Sequence, residues 1–320
     1  MTNDTKYWLF AAIGLALVAI LLLAPIGFGP TEFGQTIENA SHGVLFGLVA
    51  VGALLFLRAR LPSMPRSRRY AIAFLSAVAL GGLGELAQWF TGWRDAEWGD
   101  FVNDALGAFA ALCLFSIRNS RATRRRSTRT LLASLACVAA AIVVAPVVRS
   151  GFDYWQRRAQ LPELATWRSA AGHHFFSASN SETTVILVPS PWARAANEPA
   201  LSIDPLQGGR WPGVVTEEPW PDWDGYSQLA VDVVNPNDVP LRLNIRINDR
   251  EHNNRYNDRF NRTATVPPRQ RMRWKISLSD VRRAPAGREM DMRSISRVAV
   301  FQDAEAGAHR FYLCRLYLER

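Results

Sequence analysis

Cysteine is scarce in this chain, with three in 320 residues. That excludes a disulfide scaffold. Lysine is scarcer still, two against 35 arginines, so the net charge of +9 is carried almost wholly by guanidinium groups. Charged residues make up 20% and hydrophobic residues 48%. That balance excludes a disordered tail protein and a collagen. What is present is uneven. Residues 1–150 are long apolar runs broken by arginine clusters, and residues 151–320 are polar, tryptophan-rich and alternating. The mean hydropathy near zero averages these two unlike halves. The length allows about two domains of ~100–200 residues each.

Five apolar runs read as membrane spans: 8–23, 43–57, 70–90, 101–117 and 131–148. Each approaches the ~20 residues that a helix needs to cross a bilayer. The first reads as an uncleaved span, because its leading segment has only Lys6 against Asp4 and no clean cleavage site follows. Segment 58–69 carries five arginines and no acid, and segment 118–129 carries six arginines and no acid. Between the first two spans lie Glu32 and Glu38 with no base. Between the third and fourth, Arg94 is outnumbered by Asp95, Glu97 and Asp100. Cytoplasmic loops retain basic residues. The pattern therefore predicts a cytoplasmic N-terminus and an extracytoplasmic C-terminal half. Arginines beside spans face anionic headgroups, so the basic charge does not imply nucleic acid.

The ionisable residues gather at the predicted outer ends of the spans. His42 begins the second span. Glu85 and Gln88 lie three apart near the end of the third, on one helix face. Arg94 is in the short outer loop, and Asp100 and Asp104 open the fourth span four residues apart. Ionisable groups at membrane depth are costly and mark functional sites. The ordered set His42, Glu85-x-x-Gln88, Arg94, Asp100-x-x-x-Asp104 and Gly107 resembles the VanZ-like family, over roughly residues 35–118. Asp104 stands where that family usually has Asn, and Ala111 where a further Gly is common. The resemblance implies a polytopic envelope protein with a link to glycopeptide antibiotic resistance. Read from the residues alone, Arg94 would hold an anion through its planar fork, and His42 and Glu85 would be the proton-handling, catalytic pair. The same groups would otherwise form a buried polar network that orients the helices. One histidine with scattered acids lacks metal-ligand spacing, so neither metal nor cofactor is expected.

Residues 151–164 form a membrane-proximal linker with Phe152, Tyr154, Trp155, Arg157 and Arg158, a composition suited to the headgroup zone. From about residue 165 the period becomes two. Leu241, Leu243, Ile245 and Ile247 alternate with Arg242, Asn244, Arg246 and Asn248. Met272, Trp274, Ile276 and Leu278 alternate in the same way, as do Leu229, Val231 and Val233. Segments 185–188, 200–203, 211–216, 298–300 and 311–318 are further candidate strands. Many short strands separated by Pro, Gly, Asn and Asp read as an all-β sandwich. The run from Gly225-Tyr226 through Asn235-Pro236, then 242–249 and 274–278, is similar to galactose-binding-like jelly rolls, including carbohydrate-binding modules. That resemblance implies a glycan ligand. The candidate contacts are Trp220, Trp223 and Tyr226, with Asp222 and Asp224 between them, Trp211 nearby, and His252 and Tyr256 in a polar loop. Aromatic rings meet the C–H faces of sugars and carboxylates meet the hydroxyls.

The sequence thus predicts an all-α bundle of five transmembrane helices (1–150), the linker (151–164) and an all-β jelly-roll sandwich (165–320). It places them in the bacterial cytoplasmic (inner) membrane, with the sandwich periplasmic. The partners expected are the lipid bilayer and an envelope glycan or glycolipid. Two alternatives stay open: an enzyme acting on a lipid-linked phosphate or sugar, and an assembly protein whose sandwich docks another envelope protein.

Overall fold

The computed structural model describes residue 29 and residues 31–91, 98–119, 125–168, 174–303 and 307–320. The chain forms two compact units, 1–152 and 153–320. Four long helices fall in the described residues: α1 (Glu32–Arg60), α2 (Arg66–Thr91), α3 (Trp98–Asn119) and α4 (Arg126–Gln160). All four are long and apolar enough to cross a membrane. They contain the second to fifth expected spans. The first expected span, 8–23, lies outside the described residues.

The ends of α1 follow from its sequence. Thr31 caps it by accepting from the Gly34 amide at 3.1 Å. Glu32 sits in the first turn and Arg58 and Arg60 in the last, each complementing the helix dipole. Inside α4, Pro146 removes one donor from the backbone ladder.

Helix α1 lies against α2 and α3 over a small-residue seam. Phe46, Ala50 and Leu54 of α1 meet Ala73 and Ala77 of α2 and Ala108 and Leu112 of α3. A methyl group on Gly47 would lie 3.1 Å from the Ala111 Cβ and 3.1 Å from the Gly107 carbonyl oxygen. Small residues four apart on both helices permit this close approach.

Among the described residues, the second unit has eleven strands: β1 (Glu163–Ala165), β2 (Phe176–Ser179), β3 (Ser181–Leu187), β4 (Pro199–Pro205), β5 (Gly213–Thr216), β6 (Gln228–Val234), β7 (Leu241–Asp249), β8 (Phe260–Val266), β9 (Arg271–Ser277), β10 (Ile295–Gln302) and β11 (Phe311–Glu319). One antiparallel sheet runs β3-β4-β11-β6-β9, with β1 also paired to β11. The other runs β2-β5-β10-β7-β8. Their inner faces share one core. Leu229, Val231, Val233 and Leu313 from the first meet Leu243, Ile245, Val298 and Val300 from the second. The alternation seen in the sequence is therefore the inside–outside alternation of a sandwich. Leu278 departs from it: it is buried, but it opens a short helix, α5 (Leu278–Arg282), instead of extending β9.

Candidate functional site

Two places carry the chemistry, one in each unit. In the helical unit, His42, Asp100 and Asp104 are buried, 5%, 3% and 1% exposed. One ligand atom each of His42, Glu85 and Asp100 lies within 4.8 Å of the others. These residues come from α1, α2 and α3. His42 Nδ1 also lies 3.5 Å from Asp104 Oδ1. The seam explains the convergence. His42 precedes Gly43, and Asp100 and Asp104 lie seven and three residues before Gly107 on α3. On α2, Gly81 leaves room for the Asp104 carboxylate, since a methyl there would stand 2.5 Å from Oδ2.

The Asn39 amide, one turn before His42, is satisfied when its nitrogen faces Asp100 Oδ1 at 3.3 Å and the Gln35 carbonyl at 3.2 Å. Asn103 donates to the Asn39 carbonyl at 3.2 Å. Neither asparagine stood out in the sequence. Gln88 is on α2, three residues after Glu85, and nothing of its side chain is described. Arg94, the expected anion holder, lies outside the described residues. Positions 42, 85 and 100 are far apart in sequence, yet the bundle gathers an imidazole and two carboxylates, the donor types that bind divalent ions.

In the sandwich, the expected sugar-contact residues are divided between core, turn and surface. Trp223 is fully buried, and its indole donates to the Trp220 carbonyl at 2.7 Å. Its ring is core, which corrects the expectation of a surface platform. Trp220 and Tyr226 are half-buried and pack against the same core. The Asp222 side chain accepts from the Asp224 amide at 3.0 Å, closing a turn. Asp224 accepts from Arg282 and Arg293, which hold its carboxyl below the usual carboxylate range. The His252 ring bonds to the Asp258 carbonyl at 2.8 Å and to Arg246 at 3.1 Å. It therefore braces the polar loop. Tyr256 is 72% exposed and stacks under Arg259.

That loop is tied down by Arg288, which grips Asp249 through both terminal nitrogens, at 2.6 and 2.8 Å, and reaches Asp258 at 2.7 Å. The guanidinium beside Asp258 lowers its carboxyl to about 2.

The outward face of β2-β5-β10-β7-β8 carries polar and aromatic residues outside the expected contact set. Paired residues share a face. Phe301 pairs with Asn244, Ala299 with Arg246 and Arg297 with Asn248, and Asn244 pairs with Thr263 on β8. At one end, Trp211 is 52% exposed with its ring edge-on to Phe301, centroids 5.8 Å apart. Further along, burial together with the charges of Arg259 and Arg297 pushes the Arg246 guanidinium down to about 10. The face thus presents aromatic rings, amides, a hydroxyl and clustered positive charge. Its signal in the sequence is the polar series Arg242, Asn244, Arg246 and Asn248.

A separate cavity of about 390 Å³ opens beside the other sheet, lined by Arg194, Arg271, Arg315, Glu163, Glu198 and Cys314 among others. Its charges are largely spent on each other. Arg271 bonds both Glu198 and Asp232, Arg194 bonds Asp232, and Arg315 pairs with Glu163. Cys314 is 2% exposed, and burial pushes its thiol up to about 12, which makes it a poor nucleophile.

No family model and no curated protein matches the chain. Among solved structures it is similar to an exo-beta-agarase, at 12% identity and TM-score 0.38, over 49% of this chain and 24% of that one. It therefore spans about a quarter of that enzyme. It is also similar to a family 11 carbohydrate-binding module from Clostridium thermocellum in complex with a beta-1,3-1,4-mixed-linked tetrasaccharide. There the identity is 14% and the TM-score 0.37, over 49% of this chain and 94% of that one. A xylan-binding domain from CBM 22 gives 9% identity and TM-score 0.33, over 49% and 92%.

Proposed function

We propose that this chain is an integral protein of the bacterial cytoplasmic membrane whose sandwich binds a cell-envelope glycan or glycolipid outside the cell. The observation that carries the reading is the outward face of the five-stranded sheet. Trp211 and Phe301 offer apolar ring surface for sugar C–H groups. Asn244 and Thr263 offer donors and acceptors for hydroxyls, and Arg246 and Arg297 favour an acid-bearing sugar. The sidedness rests on the arginines that flank the spans. Arg58, Arg60, Arg66, Arg68 and Arg69 cluster around the α1–α2 connection, and Arg118, Arg125, Arg126 and Arg129 around the α3–α4 connection. The resemblance to the VanZ-like family adds an effect of the intact protein on glycopeptide susceptibility.

The test is a titration of full-length protein in lipid nanodiscs with neutral and acidic envelope polysaccharides. Binding that weakens in Trp211→Ala and in Asn244→Ala supports the reading. Undiminished binding in both removes this face from it.

A second reading is favoured by the meeting of His42, Glu85 and Asp100. It makes the helical unit an enzyme on a lipid-linked phosphate or sugar at the outer leaflet, with these side chains as its catalytic groups. Turnover lost in Glu85→Gln at normal protein abundance supports it. Lost abundance instead supports a purely structural network.

A further inference from the structure

We propose that His42, Glu85 and Asp100 bind one divalent transition-metal ion of the Zn²⁺ or Mn²⁺ class, with Asp104 positioning the imidazole. The site does not depend on the glycan reading, and it gives the enzyme reading its reagent.

Three helices each supply one ligand. The donor atoms lie within 4.8 Å of one another. Oxygen and nitrogen ligands sit about 2.0–2.2 Å from a zinc ion, so donors on opposite sides of an ion are at most ~4.4 Å apart and tetrahedral neighbours ~3.5 Å apart. Small rotations of the Glu85 and Asp100 side chains close the difference. Thiolate is absent from the set, which disfavours the softest ions. One imidazole with two carboxylates suits first-row divalent ions better than the all-oxygen cages of Ca²⁺ or Mg²⁺. Three protein ligands also leave a coordination position for water or an anionic substrate oxygen, the pattern of catalytic zinc rather than structural zinc.

The surroundings are those of a metal site and not of a bare acidic cluster. A ligating histidine commonly gives its other ring nitrogen to a carboxylate, which fixes tautomer and orientation. Asp104 Oδ1 stands 3.5 Å from His42 Nδ1 in a residue 1% exposed. It accepts no hydrogen bond of ordinary length. Metal on the opposite ring nitrogen would leave Nδ1 as the donor that this oxygen awaits. Asn39 plays the matching part for Asp100. Gly81 keeps the space that the Asp104 carboxylate fills.

The experiment uses the full chain in nanodiscs, stripped with chelator and re-equilibrated with Zn²⁺, Mn²⁺ or Co²⁺. Metal content is read by mass spectrometry and coordination by the Co²⁺ visible spectrum. One ion per chain is expected. It should be lost in His42→Ala, Glu85→Gln and Asp100→Asn. Asp104→Asn should still fill the site at saturation, with affinity lower by about 10–100-fold. Folding of each variant is checked by circular dichroism and by retention of the gel-filtration peak. If a variant unfolds, the wild-type Co²⁺ spectrum decides alone, since a d–d band of a nitrogen–oxygen site is required. Substoichiometric metal with all three ions overturns the proposal. So does full stoichiometry in a folded triple variant, because the ion then sits elsewhere.

Discussion

Gly107 of α3 faces Gly43 of α1 so closely that any β-carbon on Gly107 would overlap the Gly43 carbonyl oxygen. No side-chain rotation relieves a clash between a Cβ and a backbone. Gly107→Ala must push α1 and α3 apart, with the cost of an overpacked core, about 1–3 kcal/mol. It also separates His42 from Asp100. The variant should melt at lower temperature in detergent, and its metal content should fall with its stability. Gly52 has open space around its missing Cβ, so Gly52→Ala should leave both unchanged.

The buried ion network of the sandwich carries a second expectation. Arg271 donates to Asp232 through Nε at 2.9 Å and Nη2 at 2.6 Å, and to Glu198 at 2.7 and 2.8 Å. Asp232 is fully buried and the Arg271 side chain is 6% exposed. Removing one partner strands a buried charge, which costs about 3–5 kcal/mol. Asp232→Ala should therefore lower the denaturant midpoint sharply. Asp232→Leu combined with Arg271→Met and Glu198→Gln should recover much of the loss, because none of the three buried charges remains to be desolvated. Urea unfolding of both variants checks the pair.

Acid should release part of the same network. The Arg271 guanidinium lowers the Glu198 carboxyl from 4.5 to about 2. A depressed carboxylate stabilises the fold fully above its unfolded value and loses that contribution as pH falls through its folded value. The window therefore runs from about 4.5 down to about 2. Sandwich stability should fall across that range, and the fall should be shallower in Glu198→Gln. Thermal melts at stepped pH would show it. An equal slope in the two proteins would contradict the assignment.

How far the sequence could be read follows from the range of each signal. Period-two alternation is local, so β6, β7, β9 and β10 were legible from Leu229, Leu243, Trp274 and Val298. Strand β8 was not, because Arg262 and Ala264 occupy its inward positions opposite Ile245 and Leu243. Its edge location lets Arg262 turn to Asp280 at 2.8 Å instead of entering the core. Trp223 was misplaced because flanking prolines and aspartates mark a loop, and a loop ring can still fold inward. The polar layer of the helices was legible as a set of residues, since cost at membrane depth is a single-residue argument. The meeting of His42 with Glu85 and Asp100 was not, because it depends on the Gly43–Gly107 approach between helices distant in sequence.

The outward sheet face yields the last expectation. Arg246 has its guanidinium lowered to about 10 by burial and by the neighbouring charges of Arg259 and Arg297, so it remains protonated at neutral pH. Three like charges held together without an equal number of acids favour an anionic guest. Among the described residues, the ion pair of Arg297 with Glu217 is the one that offsets any of them. A carboxylate- or phosphate-bearing glycan should therefore bind more tightly than its neutral counterpart. Exposed charge is screened over about 10 Å at 0.1 M salt, so the preference should shrink as salt rises. Arg246→Gln should abolish the preference while leaving the neutral glycan's affinity near wild type, and Trp211→Ala should weaken both ligands alike. Titrations at two ionic strengths separate the outcomes. A salt-independent affinity that survives Arg246→Gln would mean that the sugar's hydroxyls, and not an acid group, are what this face recognises.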